Sequence, residues 1–212
     1  MAGTAEKRST LAEKLPVALW IPNLIGYVRV WGLVVSLAQP DPWSSASIWA
    51  LVLSLGLDYI DGPCARAMGM CSQFGDLLDH YTDHVTMFWL VYITSSSKVN
   101  VAVNALHCIV ACGYMAVRGH YFKHSAGGNY VTRLVEENNY FNMPAMLWNG
   151  NTCIIPLVKM SYSLEWGIQK QGSTMLVDFF DALGLLVTLA YSIAVCLPSD
   201  GRGKKPKNPK AL

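Results

Sequence analysis

Between residues 17 and 197 the chain passes through six apolar runs, near 17–38, 44–57, 84–94, 99–117, 144–164 and 182–197, parted by more polar stretches. Several approach the roughly 20 residues that a helix needs to cross hydrocarbon. Because 52% of residues are hydrophobic and only 14% are charged, the chain reads as an all-α integral membrane protein with about six transmembrane helices. Residues 10–20 alternate apolar and charged groups before Pro22, which predicts a short N-terminal amphipathic helix at the interface.

The expected spans are 22–38, 44–67, 74–95, 98–118, 144–163 and 174–197. Gln39-Pro40-Asp41-Pro42 stops the first, and residues 119–143 form the longest polar connection. Three regions follow: 1–21 as an N-terminal segment with the interfacial helix, 22–197 as the membrane domain, and 198–212 as a basic disordered tail. A removable signal peptide is not expected, since MAGTAEKRSTLAEK mixes charges and lacks an apolar core before a small-residue cleavage site.

The net charge of +2 hides an uneven distribution. Arg202, Lys204, Lys205, Lys207 and Lys210 crowd one end and Lys7, Arg8 and Lys14 the other, so the positive-inside rule places both termini in the cytosol. The breaks at 39–47, 95–98 and 163–173, which carry only Lys98 and Lys170, then face away. None of the six cysteines forms a Cys-x2-Cys pair, which disfavours a disulfide scaffold or zinc ribbon. Cys108 and Cys112 share a helix face as small buried residues.

Against this apolar background, LDYIDGPCARAMGMCSQFGDLLDHYTDH holds Asp58, Asp61, Asp79 and Asp83. One acid at mid-span costs about 2.5 to 3.5 kcal/mol on insertion scales, so four together call for a cation or a functional return, and a metal site is the simplest explanation. Adjacent antiparallel spans joined by a short turn bring the end of one and the start of the next to one depth. At 100° per residue from Asp58, Asp61 falls at about −60°, Gly62 at about +40°, Ala65 at about −20° and Arg66 at about +80°. On the following span Gly75, Asp79 and Asp83 lie within about 80° of each other. Two acids from each helix therefore face one cleft. The small residues allow close approach to the backbone, and Arg66 offers a phosphate its fork of donors. Hard oxygen ligands in this number suit two Mg²⁺ or Mn²⁺ ions, a common device for displacement at phosphorus.

The spacing Asp58-x2-Asp61-Gly62-x2-Ala65-Arg66-x8-Gly75-x3-Asp79-x3-Asp83 resembles in full the signature of the CDP-alcohol phosphotransferase family. Within it, IPNLIGYVR at 21–29, together with Phe74-Gly75, Leu78-Asp79 and Thr82-Asp83, is similar to the eukaryotic phosphatidylinositol synthases, which place Arg where this chain has His84. The resemblance implies a six-helix homodimer whose two-metal site opens to the cytosol and the lipid, with the endoplasmic reticulum as its expected location. It implies that Asp58, Asp61 and Asp79 are metal ligands and that Asp83 both ligates and accepts the proton. Gly62 and Arg66 would contact the CDP moiety, Ser72 the donor diphosphate, and Asn23 and Arg29 would face the same cleft as substrate-binding residues. The implied substrates are CDP-diacylglycerol and myo-inositol, giving phosphatidylinositol and CMP in the lipid bilayer, with no nucleic acid involved.

Rival readings remain at this stage. Glycerol 3-phosphate or serine as acceptor would keep the chemistry; a phosphorylated acceptor calls for basic residues, and only Arg118, Lys123 and Arg133 are placed for it. A divalent-cation transporter would need polar groups across the membrane, whereas residues beyond Asp83 are mostly apolar. A catalytically dead relative is disfavoured, since all signature positions are filled. Asp76, on the arc of Asp79 and Asp83 but outside the signature, reads as a solvated or interfacial acid, with an extra metal ligand as the alternative; His80 and His84 read as packing or interfacial residues, each turned about 100° from its neighbouring acid. His120, Lys123, His124, Asn129 and Arg133 read either as an inositol entrance or as a hydrated loop. Lys159 is expected to snorkel, Asp178 to lie near a span end, and Asp181 to need a partner. Pro63 is expected to free a backbone carbonyl beside the acids, and the tryptophans to form an interfacial belt.

Overall fold

The computed structural model describes residues 15–121, 129–136, 142–166 and 175–197, and among these the regular structure is helical throughout. A 3-10 turn, Val17–Leu19, precedes α1 (Ile21–Ala38), α2 (Ser45–Met68), α3 (Gln73–Thr94), α4 (Lys98–Arg118) and α5 (Tyr130–Glu136). Then come α6 (Met143–Asn149), a π turn (Gly150–Ile154), α7 (Ile155–Trp166) and α8 (Met175–Cys196). Four stretches are long and apolar enough to cross a membrane: Ile21–Ala38, Ser45–Met68, Lys98–Arg118 and Phe179–Cys196. The chain is therefore a multi-pass membrane protein.

The helix ends follow local chemistry. Ser44, Ser97 and Asn142 each cap a helix by accepting a backbone N–H, from Ser47, Asn100 and Ala145. Gly69 closes α2 at φ 64° and Gly119 closes α4 at φ 71°, a left-handed conformation that glycine adopts without penalty. The expected amphipathic helix does not extend into the described residues 15–20, where only the 3-10 turn forms. Pro16 and Trp20 are both extended, and Pro22 follows, so the backbone here is set by prolines. Residues 10–14, the rest of 1–14, and the basic tail 198–212 lie outside the described residues.

The chain divides into two compact units at Asp83/His84, within α3. In the first, α1 packs along α2. The buried residues of α1 are Pro22, Asn23, Gly26, Arg29, Gly32, Leu33 and Ser36, one stripe at helical spacing. Small residues bring the two backbones together: a Cβ on Gly32 would lie 2.7 Å from the Ala50 carbonyl oxygen, Ser36 and Ser47 share a 2.6 Å hydrogen bond, and Ser54 Oγ donates to the Arg29 carbonyl at 3.1 Å. Leu24, Val28, Trp31, Trp49, Leu53 and Ile60 stay exposed. Small polar groups inside and large apolar ones outside suit a lipid environment. α3 meets α1 where a Cβ on Gly26 would come 2.8 Å from Leu78 Cδ2 and where Tyr27 and Phe74 pack edge to face.

In the second unit α8 packs on α4, α5 and α6. Asn100, Asn104, Asn151 and Thr188 are joined by buried hydrogen bonds, including Asn100 Nδ2 to Asn151 Oδ1 at 3.0 Å. His107 Nδ1 meets Ser192 Oγ at 2.9 Å. The π turn reflects Pro156, whose missing N–H cannot bond the preceding turn; the Ile155 N–H reaches back to Gly150 instead. Lys159 does not simply snorkel: its Nζ lies 3.1 Å from Asp181 Oδ2, supplying the partner that Asp181 requires. α2 continues through Pro63 to Met68.

Candidate active site

The four aspartates converge within the first unit because α2 and α3 are joined by only four residues, Gly69 to Ser72. Gly69 turns the chain, and Ser72 Oγ then accepts the Gly75 N–H at 3.0 Å, starting α3 with its acids directed back at α2. One carboxylate oxygen each from Asp58, Asp61 and Asp79 lie within 4.8 Å of one another. All are hard donors, so this triad fits Mg²⁺ or Mn²⁺. Asp83, one turn beyond Asp79, joins the cluster through a fifth residue.

That residue is Arg29 of α1. Its guanidinium is 1% exposed and contacts all four acids. Nη1 pairs with Asp61 Oδ2 at 2.6 Å and with Asp79 Oδ1, while Nη2 pairs with Asp58 Oδ1 at 2.8 Å and with Asp83 Oδ1. A buried guanidinium in apolar surroundings is tolerable only when paired and hydrogen-bonded, and here its fork spans both acidic helices. The acids remain open on their other side, with Asp58 37% and Asp79 33% exposed.

The remaining expected residues surround this core unequally. Asn23 is buried, donates to the Val17 carbonyl at 2.6 Å, and lies against Gly75, where a Cβ would come 2.6 Å from its Oδ1. Arg66 is exposed, with Nη1 3.4 Å from the place of a Cβ on Gly62. Asn23 and Ser72 thus meet at Gly75 near the start of α3, and Arg66 lies beside Gly62 on α2. Asp76 stands apart from the triad, beside His80, whose Nδ1 lies 2.7 Å from the Asp76 carbonyl oxygen and 3.9 Å from Asp79 Oδ2.

His84 is buried in the second unit among the rings of His107, Tyr121 and Trp148, a packing position rather than an interfacial one. Asn129 does not belong to a plain hydrated loop: its oxygen caps α5 by accepting the Thr132 N–H, and its amide donates to the Ala194 carbonyl. His120 packs on Tyr114, and Arg133 lies within α5. Lys123, His124 and the Asp178 side chain lie outside the described residues. Sequence reasoning placed Arg29 near the cleft but missed its position among the carboxylates. A lone arginine on the buried stripe of an otherwise apolar span was the available signal.

Paired helices carrying a cluster of facing carboxylates at the membrane define a candidate metal-dependent enzyme site. The family profile of CDP-alcohol phosphatidyltransferases matches residues 19–135, more than half of the chain, and the protein belongs to that family. Among curated proteins it is 38% identical over 74 residues to CDP-diacylglycerol–inositol 3-phosphatidyltransferase of Drosophila melanogaster, covering 35% of this chain and 33% of that protein. It is 37% identical over 93 residues to CDP-diacylglycerol–inositol 3-phosphatidyltransferase 1 of Arabidopsis thaliana, covering 43% and 40%. It is 33% identical over 135 residues to a phosphatidylinositol phosphate synthase of Corynebacterium glutamicum, covering 57% and 61%. The chain thus spans 33% to 40% of the length of the first two relatives. No solved structure matches.

Proposed function

We propose that the protein is a CDP-diacylglycerol–inositol 3-phosphatidyltransferase, which transfers a phosphatidyl group from CDP-diacylglycerol to myo-inositol and releases CMP. The observation that carries this reading is the Asp58, Asp61 and Asp79 triad with Asp83 one turn further along α3. That the Drosophila and Arabidopsis relatives are CDP-diacylglycerol–inositol 3-phosphatidyltransferases supports inositol as the acceptor.

Asp58, Asp61, Asp79 and Asp83 would hold two divalent ions, and these would supply Lewis-acid stabilisation of charge on the transferring phosphoryl group. Asp83 lies outside the tight triad and accepts the proton of the inositol hydroxyl. The freed oxygen attacks the phosphorus bearing diacylglycerol, and the bond from that phosphorus to the bridging oxygen breaks as CMP departs. Arg66, exposed at the rim, is free to pair with the donor diphosphate. Gly62 lets the cytidine portion approach the α2 backbone, Ser72 and Asn23 border the diphosphate, and Arg29 orients the four acids. α3 and the 143–166 helical stretch complete six spans, both termini and the site face the cytosol, and two chains pair in the endoplasmic reticulum membrane.

Glycerol 3-phosphate and serine remain the competing acceptors. Membranes holding the protein, given CDP-diacylglycerol, Mn²⁺ and each acceptor in turn, will form phosphatidylinositol. Formation of phosphatidylglycerol phosphate or phosphatidylserine instead would overturn the acceptor. Cation uptake into proteoliposomes, indifferent to CDP-diacylglycerol and lost in Asp79→Ala, would overturn the enzyme reading in favour of transport.

A further inference from the structure

Four carboxylates gathered at membrane depth repel one another, yet the described cluster contains a single cation. Arg29 brings one positive charge against four acids, leaving three formal negative charges. Its two terminal nitrogens take one oxygen from every acid, including oxygens of Asp58, Asp61 and Asp79, the three that make up the metal-ligand triad. Its Nε is buried with no hydrogen-bond partner among the described residues. The guanidinium is thus held at this place by its carboxylate contacts, while the Ser54 hydroxyl bonded to the Arg29 carbonyl anchors only the backbone.

We propose that Arg29 is an intramolecular latch on the metal site: it holds the four acids together before metal arrives and competes with the divalent ion for the same carboxylates. Loading the site then requires the side chain to surrender part of its contacts, so Arg29 lowers metal affinity while raising the stability of the metal-free protein. The ordering of the acids and their affinity for metal are in this way opposed. The latch rests on the reading of the acids as a divalent-metal site, and it makes Arg29 a positioning residue.

Mn²⁺ binding to the purified full-length protein, followed by the loss of the free-ion paramagnetic resonance signal without substrate, tests this directly. Arg29→Gln is expected to bind Mn²⁺ about tenfold more tightly than the unaltered chain and to melt at lower temperature when metal-free. Arg29→Lys keeps the charge but loses the fork that bridges both helices. It is expected to bind more tightly too, which separates competition for contacts from net charge, and it serves alone if the glutamine variant does not fold. Equal or weaker binding in both variants overturns the latch and leaves the metal reading standing. A gain in the glutamine variant alone overturns it in favour of bulk charge. Absence of Mn²⁺ binding in every protein, unaltered chain included, overturns the metal reading and the latch together.

Discussion

Asp83 and Asp79 sit one turn apart on α3, but their surroundings suit different tasks. Asp79 belongs to the compact triad, while Asp83 is tied in through Arg29. Asp83→Asn preserves size and helix geometry, so it is expected to leave the thermal melt nearly unchanged and to abolish CMP release; retained turnover would show another group serving as base. Gly75 is constrained differently. A Cβ there would lie 2.6 Å from Asn23 Oδ1 and 3.2 Å from Ser72 Oγ, so Gly75→Ala pushes on both of these side chains at the start of α3. Overpacking of this kind costs about 1–3 kcal/mol, and a lowered melting temperature with reduced turnover is expected. The acids were legible in the sequence because their spacing alone fixes one face of each helix. Arg29 was less so: periodicity put it on the buried stripe of α1, but which helices flank that stripe is a tertiary fact.

At the scale of elements, α1 and α2 depend on small residues that admit close backbone contact. Gly32→Leu should drive the pair apart at the Ala50 carbonyl, moving Arg29, one turn away, off the acids. Loss of stability is the expected result, measured by thermal melting; a variant as stable as the parent would contradict the packing. In the second unit the Lys159–Asp181 pair ties α7 to α8. Lys159→Met leaves a carboxylate in an apolar helix and should destabilise by about 1.5–3 kcal/mol, with Asp181→Asn in the same chain recovering part of the loss in a double-mutant cycle. The helical stretches were read from apolar length to within three residues at their ends. The π turn at Gly150–Ile154 was not, because it arises from Pro156 acting one turn back and not from any change in hydropathy. The helix expected over 10–20 gave way to a 3-10 turn in its described part because apolar alternation says nothing about the backbone that Pro16 and Pro22 impose.

For the whole molecule, the apolar exterior and small polar interior of the first unit are the reverse of a water-soluble bundle. Four spans are evident by length and composition, while α3 carries Asp76, Asp79 and Asp83 and the 143–166 stretch is broken by its π turn. The two further stretches that the proposed six-span reading counts thus differ from the four by the acids of the site and a local wide turn. The proposed six spans would place both termini on one side; reporters fused at residues 1 and 212 should then respond alike to protease in sealed vesicles, and opposite responses would exclude an even number of crossings.

The most direct measurement is CMP release by the purified protein supplied with CDP-diacylglycerol, myo-inositol and Mn²⁺. The account predicts release that depends on both the alcohol and the metal and disappears in Asp83→Asn. If no alcohol and neither Mn²⁺ nor Mg²⁺ elicits CMP, the aspartates of α2 and α3 do not perform phosphatidyl transfer.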